Sequence, residues 1–247
     1  MVERCADCGF DLAGGRVEVV PTAHYMMGGV VFDPDCRTRI EGLFAAGEDT
    51  GGVHGANRLG GNGVANSTVF GGVAGAAMAR YVRGGGRLRM PDQGAIAAAS
   101  AAALAPLGRP AGDLEAIRDR LSTLMWDDVG IVREAAGLER AARGLVDLDA
   151  ALDAIGVGGD RAFNLTWHDW LNLKNLVLVS RAIAASAAAR NESRGAHHRR
   201  DFPETYALAN SAFTTVRLEA GMPVVGSEAV RFTRVRPGET LLRDAAE

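Results

Sequence analysis

Long apolar runs are missing from this chain. A helix that crosses a bilayer needs about 20 consecutive apolar residues, and no run in the 247 residues approaches that. No direct membrane span is therefore expected. The opening "MVERCADCGF" has no apolar signal segment, so the cytoplasm is the expected compartment. Neither sign of charge dominates: 27 lysines and arginines stand against 30 aspartates and glutamates, a net charge of -3. That balance gives no footing for nucleic acid or an anionic membrane surface. Aromatics make up only 6% of the chain, while alanine and glycine are abundant. Such a composition suits close helix packing and glycine-rich loops. At 247 residues and 47% hydrophobic content, the chain can still bury a sizeable core, as one large domain or two small ones.

Cysteine is scarce too. There are three, Cys5, Cys8 and Cys36, and an odd count argues against a disulfide framework. Cys5 and Cys8 form a CxxC pair. As a zinc half-site it lacks a second CxxC or a suitably spaced histidine pair. As a redox motif it lacks the following helix that lowers a thiol pKa. The pair is read as two ordinary thiols, and no metal site is expected.

Two nucleotide signatures are absent. No lysine follows the glycines as GxxxxGK[ST] requires, and no GxGxxG follows a first strand. Yet glycine is concentrated near the start, in "HYMMGGVVFD" (His24 to Asp33) and "AGEDTGGVHGANRLGGNGVANSTVFGG" (Ala46 to Gly72). Glycine carries an entropic cost and is kept where the chain turns tightly or something approaches the backbone. A loop of small residues that runs into a helix offers free backbone N–H groups at a positive dipole end. Asn62, Gly63 and Val64 stand at that end, and an anion is the natural guest. Arg58, in the middle of the loop, can grip a carboxylate with two parallel hydrogen bonds. His54 lies beside it in sequence. His24 precedes a double glycine at the end of a strand, and with Arg58 it makes an anion clamp.

Elsewhere, residues 17–20, 29–32 and 42–48 read as short apolar strands. The stretch from Asn62 reads as a buried helix with Asn62 as N-cap, stopped by the glycine run 84–86. Residues 87–112 hold three prolines and many alanines and read as a linker with a short helix. Leu114, Ile117, Leu121, Leu124 and Met125 recur at helical spacing, as do Leu138, Ala142 and Leu145. Residues 170–190 read as the central helix of a bundle, capped by Asp169. Trp126 and His168 are read as packing residues. The C-terminal part is β-rich, two strands joined through Gly221–Gly226.

Four segments, in order, resemble one family. "PTAHYMMGG", "AGE…HGANRLGGN", "MWDDVGIVREAAGLERA" (125–141) and "ARNESRGAHHRRDFPE" (189–204) look like the C-terminal half of the succinate dehydrogenase and fumarate reductase flavoproteins and of L-aspartate oxidase. The resemblance covers most of the chain. It implies an α+β fold: the C-terminal portion of a Rossmann-like FAD-binding domain (1–86), a linker (87–112), a helical bundle (113–205) and a small β-rich segment (206–247). It implies FAD as cofactor, His24 and Arg58 on substrate carboxylates, and Glu48 on the ribityl or ribose region of FAD. It also implies that Asn62, Gly63 and Val64 point at the flavin pyrimidine edge. Gly63 is a departure, since respiratory members usually have serine there.

The implied reaction is hydride transfer between flavin and a C4 dicarboxylate. The family's arginine proton donor lies in a segment before PTAHY, so no catalytic proton donor is expected on this chain. The family's nucleotide-binding half and capping domain also precede PTAHY. The initiating methionine and tidy start favour a separately encoded subunit of a split enzyme, with a partner chain that carries the FAD-binding and capping half. A processed or truncated piece is the other explanation. Two alternatives to the succinate/fumarate reading stand: oxidation of aspartate or a related amino-dicarboxylate, and a non-catalytic assembly subunit. For the charged cluster Arg194, His197, Arg199, Arg200 and Asp201, a structural ion-pair network is favoured over contact with the flavin domain.

Overall fold

Every third or fourth residue along the helix Asn62–Arg83 carries a side chain that packs: Asn66, Phe70, Ala74, Ala77 and Tyr81. That spacing makes one stripe of a 3.6-residue repeat. The computed structural model describes residues 2–18, 24–87 and 90–239 and divides into two units, Met1–Gly84 and Gly85–Glu247.

In the first unit a short helix, α1 (Val2–Asp7), precedes α2 (Asn62–Arg83). The loop between them lies against the α2 stripe. Phe32 meets Phe70 edge-on at 5.8 Å, Phe44 meets Tyr81 at 5.9 Å, and Cys36 Sγ reaches the Phe70 carbonyl at 3.6 Å. Arg80 pairs with Asp35 at 2.8 Å. The other faces of α2 are open: Val64, Val69, Met78 and Val82 are exposed, and Gly71, Gly72 and Gly75 face free space. The expectation of a wholly buried helix is thus corrected to one buried stripe. Two of the expected strands shrink to single bridges. Val30 pairs with Thr50 and Arg37 with Phe44, because each run finds only one residue of neighbouring backbone among the described residues. Within 17–20, residues 19 and 20 lie outside the described residues, as do 21–23 of PTAHY.

In the second unit, the alanine-rich segment after Asp92 forms a full helix, α3 (Gln93–Leu104), with the Asp92 side chain capping the Ala95 N–H at 3.1 Å. Three longer helices follow: α4 (Leu114–Val129), α5 (Ala135–Ala154) and α6 (Leu165–Ala189). Leu114, Ile117 and Leu121 of α4 face Leu138, Ala141, Leu145, Leu148 and Leu152 of α5 and Trp170, Leu173 and Val177 of α6. Burying each leucine contributes roughly 1.5–3 kcal/mol. Ala142, expected in the α5 stripe, is exposed, and Ala141 takes its place. Trp126, expected to pack, is 62% exposed. His168 is also exposed, its ring tilted on Trp167 at 5.6 Å.

The α6 start differs as well. The Asn164 side chain caps the Trp167 N–H at 2.9 Å, whereas Asp169 sits within the helix and pairs with Arg118 at 3.3 Å. Two residues each of β1 (Val132–Arg133) and β2 (His198–Arg199) pair in parallel. A hairpin, β3 (Ala212–Glu219) and β4 (Met222–Ala229), turns tightly at Ala220–Gly221. Both turn residues have positive φ, 49° and 78°, as a type I′ turn requires. The second strand therefore occupies residues expected to be its connecting loop. No described helix is long and apolar enough to cross a membrane.

Candidate functional site

The glycine-rich loop ends at Gly61, whose φ of 84° places it in the left-handed region at the N-cap of α2. Asn62, expected to be the cap, is instead the first helical residue. No side chain caps this end, so the first-turn N–H groups, Gly63 and Val64 among them, remain without an intrahelical acceptor. A Cβ on Gly60 or Gly61 would meet nothing within 4 Å. The α2 N-terminus thus presents bare backbone to an open side.

Around it the loop residues converge on Tyr25. The Tyr25 hydroxyl is 3.2 Å from His54 Nε2 and accepts from Asn66 Nδ2 at 3.3 Å. The Arg58 guanidinium carbon lies 4.4 Å from the Tyr25 ring centroid. Arg58 Nη1 donates to the Leu59 carbonyl at 3.2 Å, and its buried Nε has no acceptor among the described residues. No carboxylate among the described residues pairs with it. Asn66 is 4% exposed and also donates to the Gly47 carbonyl at 3.1 Å.

Glu48, exposed, accepts the Met26 N–H at 3.0 Å and so ties the His24–Met26 segment to the AGE turn. His24 is exposed, one residue before Tyr25. Gly29 explains part of the glycine content: a Cβ there would lie 2.1 Å from the Asp49 carbonyl oxygen. The close approach lets Val30 N–H reach that oxygen at 2.7 Å.

Sequence reasoning reaches Arg58, His24 and the α2 N-terminus but passes over Tyr25 and Asn66. Asn66 has a readable signal: an amide in an otherwise apolar helical stripe must find partners when buried.

The charged cluster at residues 194–201 makes an ion-pair network with its neighbours and the helix ends. Arg199, 2% exposed, donates from Nη1 to the carbonyls of Ala187, Ala188 and Arg190, closing the end of α6. Arg133 Nε does the same for Val129 and Gly130 at the end of α4. Glu192 binds Arg190 and Arg194. Burial opposes its charge, but the hydrogen bonds from Arg194, the Tyr206 N–H and Arg190 outweigh this and hold the carboxyl at about 2. A cavity of about 90 Å³ between Asp128, Arg133, Glu134, Arg140 and Arg200 is internally neutralised, Arg140 on Asp128 at 2.5 Å and Arg200 on Glu134 at 3.3 Å. No group of histidines, cysteines and carboxylates able to hold a metal occurs among the described residues.

Residues 13–64 match an FAD binding domain, and residues 118–241 match the fumarate reductase flavoprotein C-term family. FAD is thus the cofactor, and the bare α2 N-terminus with its open glycines suits it. One polypeptide of the fumarate reductase (CoM/CoB) of Methanothermobacter marburgensis is 39% identical over 83% of this chain and 37% of its own length. The L-aspartate oxidase of Mycobacterium leprae is 37% identical over 92% of this chain and 38% of its own. Mycobacterium smegmatis Sdh1, solved in complex with UQ1, superposes with a TM-score of 0.79 at 37% identity, over 93% of this chain and 39% of that one. A variant of the E. coli quinol fumarate reductase FrdA gives 0.81 at 31% identity, over 96% and 42%. The chain thus spans about two fifths of the length of these relatives. It belongs to the succinate dehydrogenase and fumarate reductase flavoprotein family, which it shares with the L-aspartate oxidases.

Proposed function

We propose that this chain supplies one wall of a flavin cleft in an oxidoreductase of the succinate dehydrogenase/fumarate reductase type. The observation that carries the reading is the uncapped α2 N-terminus in the same loop block as Arg58, a guanidinium held on a ring with no carboxylate partner among the described residues. When bound, FAD supplies the hydride chemistry with a C4 dicarboxylate.

This chain's residues bind and orient. Arg58 takes one substrate carboxylate through parallel N–H groups, and His24 takes a carboxylate as well. Fixing the diacid converts a bimolecular encounter into an oriented one, an entropic gain. The N–H groups of Gly63 and Val64, with Asn62, stabilise negative charge at the pyrimidine edge of the ring. Glu48 hydrogen-bonds the ribityl or ribose region. No residue of this chain is assigned the proton transfer at the second substrate carbon. That donor, with the dinucleotide-holding and capping parts, belongs to the portion of the family that these residues do not match, carried by a partner chain or by a further stretch of the same polypeptide.

An amino-dicarboxylate is the second substrate reading, favoured by the 37% identity to an L-aspartate oxidase. Against it stands "RLGGN", which looks more like the dehydrogenase and reductase branch than the oxidases' usual RxASN. A purely assembly-forming role fits poorly, since His24, Glu48, Arg58 and Asn62 are all present.

The test is co-purification with a polypeptide that carries the GxGxxG half. The complex should be yellow and bleached by succinate, or oxidised by fumarate after reduction. Tight FAD binding by this chain alone, as a pure monomer, would refute the divided cleft.

A further inference from the structure

Tyr25 takes no part in binding flavin or diacid as assigned above, yet it is held on every side. Its hydroxyl meets His54 Nε2 at 3.2 Å and Asn66 Nδ2 at 3.3 Å. The His54 ring meets it edge-on at 5.3 Å. Its face carries the Arg58 guanidinium at 4.4 Å. Its Cε2 lies 2.8 Å from where a Cβ on residue 63 would stand, closer than real Cβ contacts come.

We propose that Tyr25 is a positioning residue that sets the plane of the Arg58 guanidinium. The inference rests on Arg58 being the carboxylate clamp.

What holds Arg58 decides how well it can grip. A guanidinium presents its five N–H groups in one plane, and bidentate recognition works only when that plane matches the carboxylate. Arg58 makes no ion pair among the described residues, and its Nε has no acceptor. Apart from the Leu59 carbonyl on Nη1, the contact that orients it is the Tyr25 face, through the cation–π attraction. A ring free to tilt would not fix a plane. This one cannot tilt, because Asn66, buried on α2, and His54 anchor its hydroxyl, and Gly63 backs its edge. The same α2 turn that faces the flavin therefore supports the substrate-gripping arginine.

The experiment uses the complex of this chain with its FAD-bearing partner and titrates malonate, an unreactive diacid, against the flavin absorbance difference. Tyr25→Phe, which keeps the ring but frees it from Asn66 and His54, is expected to weaken malonate about threefold. Tyr25→Leu is expected to weaken malonate about tenfold. Flavin content serves as the folding control. If Tyr25→Leu retains parent affinity while Arg58→Ala loses it, the positioning role is wrong and the clamp stands. If Arg58→Ala also retains it, the clamp itself fails. Should Tyr25→Leu lack flavin, Tyr25→Phe decides, and unchanged affinity there overturns the proposal.

Discussion

Arg199 grips Asp201 with two parallel prongs, Nε to Oδ1 and Nη2 to Oδ2, both at 2.7 Å. Asp201 Oδ2 in turn accepts the Ala135 N–H at the start of α5, while Arg199 Nη1 closes the end of α6. One ion pair thus links two helix termini.

Breaking that pair is expected to cost about 3 kcal/mol, at the low end for buried pairs because Asp201 stays partly open to water. Arg199→Leu should lower the denaturant midpoint with little change in slope. A variant as stable as the parent would show that the helix ends are closed by other means.

Acid should unfold the second unit in two steps. His197 Nδ1 faces Arg133 Nη1 at 2.8 Å, and Nε2 lies 3.3 Å from the Arg190 carbonyl. Burial pushes its pKa down, the Arg190 carbonyl opposes, and the charges of Arg133, Arg190 and Arg199 push down further. A histidine kept neutral when folded takes its proton when unfolded. Stability is therefore full above about 6.5 and falls as pH drops below it. Glu192, held at about 2, contributes stability present above the ordinary carboxyl value of 4.5 and lost as pH falls toward 2. Asp201, held low chiefly by its hydrogen bond from Arg199, acts in the same direction. In a melting-temperature profile from about pH 8 to pH 3, His197→Gln should flatten the upper step and leave the lower one. A profile identical to the parent would exclude His197 as the source.

Ala220 sits at φ 49° in the hairpin turn, a conformation that costs a residue with a Cβ about 1 kcal/mol. Ala220→Gly should therefore stabilise the chain by about 0.5–1 kcal/mol, a rise in melting temperature. A fall would mean that glycine's gain in unfolded freedom outweighs the relief.

Gly29→Ala should be severe for the first unit. Its Cβ would stand 2.1 Å from the Asp49 carbonyl oxygen and 2.8 Å from Thr50 N, so the Val30–Thr50 bridge cannot survive unmoved. Proteolysis within residues 24–51 should speed up sharply, whereas Gly28→Ala, with open space around its Cβ, should change it far less. Equal rates for the two would contradict the close-approach explanation.

Much of the fold is legible in the residues. The stop of α2 follows from the glycines at 84–86, whereas its cap is read one residue late, at Asn62 instead of Gly61. The leucines of α4 and α5 announce their faces by spacing alone. Other features are invisible locally. The turn at Ala220 breaks the rule that positive φ goes to glycine, so sequence alone places the hairpin's connection in what is its second strand. The first turn of α6, Leu165 to Asp169, has no apolar rhythm, which hides the cap at Asn164. Residues 29–32 and 42–48 have strand composition, but a strand needs a neighbour, and composition does not say whether one is present. The site divides in the same way. Arg58 and the α2 N-terminus are readable from residue type and glycine spacing, whereas the Tyr25–Asn66 contact joins residues 41 apart in sequence, and no periodicity reports such a pairing.

The most direct test of the carboxylate clamp is the effect of Arg58→Ala on dicarboxylate turnover once the FAD-bearing half of the family is supplied. If Arg58 is the clamp, kcat/KM for fumarate or succinate falls about a hundredfold or more with flavin content unchanged. Turnover at the parent rate would contradict it.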